Sequence, residues 1–318
     1  MSDIDDMLAA SDEAKAAADN RDPRLVQMER LAKELHDEGH EFTIEHGEVY
    51  RPRPDRDTEH IIDLGTDHYR FAVVSDTHSG SRYEQLSALR AFYRQAVSEG
   101  CAFALHAGDV TQGSDKMHRG MELEVHAHGA DAQVAYVADV YPTGLTTYVI
   151  GGNHDDSFNK DGGVNVVRKL ASLHPDLEYI GQDAAYLDIG PTRQYIIHPS
   201  GGGAYAKSYR SQKIAESLEE DVDLIWIGHY HNYNACKVKR AHVVQLPCFQ
   251  SQYAWLARKA LHPDIGGLIV DLWLADDGSI ARFRHEVISF PVIEEDYDSE
   301  ASRIAGRGWS VGEATLPE

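Results

Sequence analysis

Five short apolar runs, each ending in groups that bind metals or move protons, constrain this chain more than any other feature. "RFAVVS" (70–75) is followed by Asp76-Thr77-His78, and "CAFALHA" (101–107) by Gly108-Asp109. "LTTYVI" (145–150) runs into Gly151-Gly152-Asn153-His154-Asp155. "RQYIIH" (193–198) ends in His198 itself, and "DLIWIG" (223–228) continues into His229-Tyr230-His231. Such runs, bounded by glycine and polar loops, read as buried strands. Helical patterns alternate with them, as in Leu86, Leu89, Phe92, Tyr93 and Val97. Alternation of this kind predicts an α/β fold, whose functional groups collect at the carboxyl ends of the strands. The Gly151-Gly152 pair at a strand end points to close backbone approach.

Taken singly, a D-x-H or an H-x-H is more often a solvated loop than a metal site. Five at successive strand ends are different, because parallel strands bring those ends to one rim. Carboxylate, imidazole and carboxamide without thiolate suit first-row divalent metals. Asp76, His78, Asp109, Asn153, His198, His229 and His231 are too many ligands for one ion. With one bridging carboxylate they supply four contacts to each of two ions, roughly 3.5–4 Å apart.

Around this core the chain divides by composition. Residues 1–21 read as an acidic flexible tail, and 22–60 as a small helix-plus-hairpin appendage with a linker. The helix is expected from Asp22 to Gly39, and the hairpin around His46-Gly47, so a winged-helix-like module is one reading and a plain α/β appendage the other. Residues 61–293 form the α/β domain, with "AHVVQLP", "GGLIVDLWL" and "ARFRHEVISF" as more antiparallel strands. Residues 294–318 read as an acidic peripheral tail. The formal net charge is −22, with 52 acidic against 30 basic residues, only ten of them lysine. That excess argues against a broad basic nucleic-acid surface and fits a protein working in high salt, an ordinary acidic protein being the alternative. There is no apolar run of membrane-spanning length, no basic-apolar leader pattern and no CxxC pair among three cysteines, so a cytoplasmic protein is expected.

"SDTH", "GD", "GGNHDD", His198 and "GHYH" resemble, in order, the five motifs of the calcineurin-like metallophosphoesterase superfamily. The resemblance covers about residues 70–290. It implies a four-layer α/β/β/α sandwich of two mixed β-sheets. It also implies that Asp76, His78 and His231 hold one ion, that Asn153, His198 and His229 hold the other, and that Asp109 bridges. Manganese is the expected metal, with Fe, Zn, Ni and Co suiting the same ligands. A metal-bridging hydroxide would then attack phosphorus in line, with His154 as general acid rather than ligand. Asp155 and His106 are candidates for orienting ligand imidazoles, simple packing being the alternative for both.

Within the superfamily two branches are disfavoured. "GDVTQGS" lacks the Asp-Arg-Gly of serine/threonine phosphatases, and Gln112 stands where purple acid phosphatases carry a tyrosine ligand. "HGADAQVAYV", "GHYHNY" and "CFQSQYAW" resemble a group of phosphoesterases from archaea, bacteria and their viruses, distantly similar to SbcD-type nucleases. A phosphodiesterase acting on nucleic acid or a nucleotide is the expectation, with a nuclease as the favoured form because a DNA-binding-like appendage would make sense in front of such a domain, in a host cytoplasm if the chain is viral. A phosphomonoesterase or nucleotide phosphatase is the first alternative. A non-catalytic binding or regulatory module that kept the fold is the second. A DNA-binding appendage this short would be completed by dimerisation, so a homo-oligomer belongs to the same expectation.

Three further stretches bear on specificity. The insert between Gly113 and Pro142 carries His118, Arg119, His126 and His128; a plain amphipathic helix over "ELEVHAHGADAQVAYVADV" packing on the sheet is the expectation, and a rim around the pocket the alternative. "GGGAYAKSYR" (201–210) lacks the ending of a P-loop but offers Lys207 and Arg210 to a phosphate. Phe249, Tyr253 and Trp255 are either core or a base-stacking group.

Overall fold

The computed structural model describes residues 30, 43–45, 48–50, 60–294 and 296–297. The chain divides into two units, 1–58 and 59–318. In the first, β1 (Thr43–Glu45) pairs antiparallel with β2 (Glu48–Tyr50), Ile44 opposite Val49. The helix expected over 22–39 lies outside the described residues except for Arg30, which is helical, and so does the tail 1–21.

In the second unit, period-two patterning builds two six-stranded sheets. The first runs β14 (Ile280–Ser289), β13 (Gly266–Leu274), β4 (His68–Val74), β5 (Ala104–Ala107), β6 (Thr147–Ile150), β7 (Leu177–Gly181). Its four strands from β4 to β7 are mutually parallel, and β13 and β14 join antiparallel. The second runs β11 (Asn234–Val238), β12 (Ala241–Gln245), β10 (Leu224–Ile227), β9 (Thr192–Ile197), β8 (Ala184–Ile189), β3 (His60–Ile62). Here β12, β10 and β9 are parallel, β11 is antiparallel to β12 and β8 to β9, and β3 is parallel to β8. His60, placed with the linker by composition, thus opens an edge strand beside β8.

Alternate residues of one strand serve different layers. On β4, Tyr69, Phe71 and Val73 face the second sheet, meeting Trp226 of β10 and Leu187 of β8 in the central core. Ala72 and Val74 face outward with Leu89, Phe92 and Tyr93 of α1 (Leu86–Ser98). The outer layer continues with α2 (Ala130–Val140) and α4 (Val166–Leu173), while α3 (Asn153–Gly162) leads from β6. On the far side, Ile225 and Ile227 of β10 pack with Ala215 of α5 (Lys207–Ser217). A short α6 spans Ala254–Arg258. The result is the α/β/β/α sandwich of two mixed sheets.

Two local expectations need correction. The helix read over "ELEVHAHGADAQVAYVADV" occupies only Ala130–Val140, preceded by a 3-10 turn at Met121–Leu123, because Gly129 takes φ +86° and breaks the path. In the segment read as a peripheral tail, Asp296 is buried and accepts hydrogen bonds from Ser87 N (2.7 Å) and Oγ (2.6 Å). Tyr297 stacks on His126 with ring centroids 4.6 Å apart. Residues 298–318 lie outside the described set. No described helix is long and apolar enough to cross a membrane.

Candidate metal centre

The carboxyl ends of β4, β5 and β6 in one sheet and of β9 and β10 in the other deliver the seven candidate ligands to one place. The backbone makes unusual turns to do so. Among the described residues, seven non-glycine residues have positive φ, and five are Asp76, His78, Asp109, His229 and His231, at φ from 45° to 78°. That conformation costs an L-residue roughly 1–2 kcal/mol, although Asp and His bear it better than most. Its concentration on these positions is the pattern of a site whose geometry outranks local comfort.

Glycine makes the approach possible. A Cβ on Gly108, at φ +86°, would stand 2.7 Å from His198 Nδ1 and 2.5 Å from the Gly151 carbonyl. One on Gly152 would meet the Asp109 carboxylate at 2.3 Å. The Gly-Gly pair after β6 therefore lets that carboxylate lie against the backbone, where Oδ1 accepts from His154 N at 2.8 Å.

The donors converge in two groups. In the first, His231 Nε2 lies 3.0 Å from His78 Nε2 and 3.1 Å from Asp76 Oδ1, and His78 Nε2 lies 3.8 Å from the same oxygen. In the second, His198 Nε2 lies 3.0 Å from Asp109 Oδ2 and 3.2 Å from Asn153 Oδ1, and a ring nitrogen of His229 is within 4.8 Å of the Asp109 and His198 donors. Asp109 Oδ2 is also 3.8 Å from His78 Nε2, so it lies between the groups. Donors about 2.1 Å from one ion sit roughly 3.0–3.4 Å from each other at tetrahedral or octahedral angles. Most of these spacings fall in or near that range, so the residues fit divalent cations.

Tautomers agree with that fit. His198 Nδ1–H donates to the Ala107 carbonyl (2.7 Å), which turns Nε2 toward Asp109 and Asn153, where a cation would displace the proton that Asp109 otherwise holds on it. His229 Nε2–H donates to the Gly201 carbonyl (2.8 Å), leaving Nδ1. Burial, chiefly, lowers His78 and His229 to about 4, keeping both in the neutral form that ligates. Burial works against charge on Asp109 and His198 as well. Their mutual attraction outweighs it, holding Asp109 well below the usual carboxylate range and pushing His198 up to about 9.

His154 belongs to neither of these two groups but forms a third with His78 and Asp109, whose donor atoms all lie within 4.8 Å of one another. Its ring meets that of His78 edge-on at 4.5 Å between centroids, and its Nδ1–H donates to the Gln112 carbonyl at 2.6 Å. Burial lowers its pKa, against the Asp109 charge and that carbonyl. Asp155 touches no imidazole. Its carboxylate accepts from Val110 N (3.1 Å), Thr111 N (2.8 Å), Thr111 Oγ1 (2.7 Å) and Gly152 N (3.0 Å). It thereby ties the turn after Asp109 to the start of α3. Burial and the neighbouring Asp109 charge push its carboxyl up to about 7, against the Thr111 and Val110 bonds. His106 likewise orients backbone, accepting from Gly108 N (3.2 Å) with Thr77 Oγ1 at 3.3 Å on its other nitrogen.

Several supporting groups escaped sequence reasoning. Ser75 Oγ donates to Asp76 Oδ2 at 2.5 Å, and the His229 backbone N–H donates to the same oxygen at 2.9 Å. The Gln112 side chain accepts from Gln250 Nε2 at 2.8 Å. Adjacency of Ser75 to the D-x-H was the single available signal. Of the aromatic trio, Phe249 is core, while Tyr253 and the half-exposed Trp255 lie nearly parallel to each other and to His118, with centroids 6.2–6.3 Å apart.

The model of the calcineurin-like phosphoesterase family matches residues 69–233, just over half of the chain. This chain belongs to that family. Among solved structures, an archaeal phosphodiesterase is similar at 15% identity and a TM-score of 0.40, covering 69% of this chain and 99% of its own. A 5′-nucleotidase precursor from Thermus thermophilus is similar at 13% and 0.40, over 75% of this chain and 58% of its own. Vacuolar protein sorting 29 from Cryptosporidium parvum follows at 12% and 0.35, over 71% and 100%. No curated protein matches the sequence. As a family member the chain is a metal-binding phosphoesterase by class, and its substrate is open to proposal.

Proposed function

We propose that this protein hydrolyses phosphodiesters at a two-metal site, and that its substrates are nucleic acids or nucleotides. The observation that carries the reading is the pair of donor groups sharing Asp109, with spacings suited to divalent cations. Asp76, His78 and His231 would hold one ion, Asn153, His198 and His229 the other. When bound, the ions supply a nucleophile near neutral pH and offset charge on the phosphoryl group, manganese being the metal we favour.

The chain's own residues perform the remaining tasks. Gln112 fixes the His154 ring through Nδ1, so Nε2 is the nitrogen that must take up a proton before the ring can act as general acid, and burial works against that charged form. Asp155 holds the Asp109 turn against α3, so the shared carboxylate and His154 keep their relation. Presence of all seven ligand types together with His154 supports an enzyme over a binding module.

Metal-stripped protein reloaded with Mn²⁺ and offered bis-p-nitrophenyl phosphate and p-nitrophenyl phosphate tests this. Diester cleavage is expected, falling by about 10²–10⁴ in His154→Ala. Preference for the monoester would replace the reading with a phosphatase, and failure to take up two ions would remove it. We also read the acidic surface as an adaptation to high salt; a melting curve indifferent to molar KCl would refute that.

A further inference from the structure

We propose that a cavity beside Asn153 and His198 is a subsite for a second phosphate of the substrate, one nucleotide from the scissile bond, with Arg210 and Lys213 as its cationic wall. This rests on the phosphodiesterase reading above. The cavity is about 620 Å³ and includes Asn153 and His198, so it opens directly from the second donor group. That volume is within the usual range of ligand sites, about 300–1,000 Å³.

One helix face forms the wall. Arg210, Lys213, Ile214 and Ser217 line the cavity, which is the i, i+3, i+4, i+7 stripe of α5. Neither Arg210 nor Lys213 pairs with a carboxylate among the described residues, in a chain where acids outnumber bases 52 to 30. The Lys213 ammonium lies over the Tyr209 ring, and the Arg210 guanidinium donates to the carbonyls of Gly202 (3.1 Å) and Ser200 (3.3 Å). Two of its five N–H donors are engaged there and a further one meets the Tyr230 hydroxyl, leaving others for an anion. Acidic groups are present too: Asp156 is paired with Lys160 at 2.7 Å, and Asp183 also lines the cavity. Tyr195 and Tyr230 complete the lining with surfaces suited to a nucleoside between two phosphates.

Arg210 also connects this wall to the metal centre. The carbonyls it holds flank Gly201, whose own carbonyl receives the His229 Nε2–H. Lys213 makes no such link, so its substitution reports charge alone.

The test compares three dithymidine substrates with Mn²⁺-loaded protein: TpT, pTpT with a 5′-phosphate, and TpTp with a 3′-phosphate. One end-phosphate is expected to raise kcat/KM about tenfold, through KM, the worth of one charge-assisted contact. Lys213→Gln should reduce that gain to about threefold or less, as expected for a partly exposed ion pair. Thymidine 3′,5′-bisphosphate titrated calorimetrically into metal-free protein should bind several-fold more weakly to Lys213→Gln. No gain from either end-phosphate, or an equal loss on all three substrates in the variant, would overturn the subsite. Cleavage of bis-p-nitrophenyl phosphate alongside such a result would sink the subsite alone. Absence of cleavage of every diester would sink the reading beneath it.

Discussion

Strand β4 carries a buried polar cluster at each end, and the two are built on opposite principles. At its amino end, Asp271 of β13 lies opposite Arg70 in the antiparallel register. Its carboxylate is 1% exposed and takes Arg70 Nε (2.8 Å) and Nη2 (3.1 Å), Arg284 Nε (3.0 Å) and Nη2 (2.5 Å), and His68 Nε2 (2.8 Å). Every oxygen is satisfied by the chain's own cations. At its carboxyl end, Asp76 enters a group whose imidazole nitrogens face one another at 3.0 Å on a left-handed backbone. Neither His78 Nδ1 nor His231 Nδ1 is held by a backbone carbonyl; His231 has the Cys248 thiol beside it, which donates to the Gln250 carbonyl. A polar cluster that closes on itself is structural. One that leaves convergent donors facing each other on an unfavourable backbone is arranged for something the chain does not supply.

The sharpest break of this comparison is Asp109→Asn. It removes the carboxylate between both donor groups, so turnover should fall by more than the about 10²–10⁴ expected of His154→Ala, and uptake of both ions should weaken. The metal-free melting temperature should move less than in Asp271→Asn. A variant that melted far lower would place Asp109 with the structural clusters.

Within the metal centre the two groups differ as well. His198 and His229 have their second nitrogens held by the Ala107 and Gly201 carbonyls, while His78 and His231 do not. Because such partners are worth about 10–100-fold in metal affinity, calorimetry should resolve a tight and a weak ion. His198→Ala should abolish the tight one, and His78→Ala the weak one. Two equal affinities would dissolve the contrast. Asp155→Asn acts one step further out, through the Val110, Thr111 and Gly152 amides, and should cost about tenfold in kcat with little change in KM. A loss confined to KM would mean that Asp155 serves substrate binding instead.

At the other end of β4, Asp271→Asn should cost about 1–2 kcal/mol at neutral pH in chemical denaturation, the exposure of Arg70 and Arg284 limiting the loss. The sign of its pH dependence follows from the cluster. Burial would raise the Asp271 carboxyl, but hydrogen bonds from Arg70, Arg284 and His68 hold it well below its ordinary 3.8. The unfolded chain therefore takes the proton first as acid is added. Stability from this group is complete above that value and is lost as pH falls below it. The variant's stability curve should be flatter there, and parallel curves would show that Asp271 does not titrate as described.

Much of this was legible in the chain. "GGLIVDLWL" matches β13 end to end, and Leu86, Leu89, Phe92 and Tyr93 form the buried face of α1, while Val97, in its last turn, is 46% exposed. Strong periodicity survives because burial enforces it. The partners of Asp155 were not legible: a carboxylate next to a histidine motif suggested an imidazole contact, yet its neighbours are amides brought by a turn 44 residues away. Arg210 was already legible as a phosphate contact, but the acidic composition concealed that Lys213 lines the same cavity, since net charge says nothing about where each sign collects.

By itself the sequence determined which atoms are available: the donors, their order, and the strands that end in them, because side-chain chemistry and period-two burial are local properties. The family resemblance already implied how those donors divide around Asp109, while tertiary structure alone decided their spacings and which ring nitrogens the backbone holds. It also decided that an unpaired cationic wall stands beside Asn153. His78 meets His231 from 153 residues away, across two different sheets, and no local pattern encodes a distance between sheets.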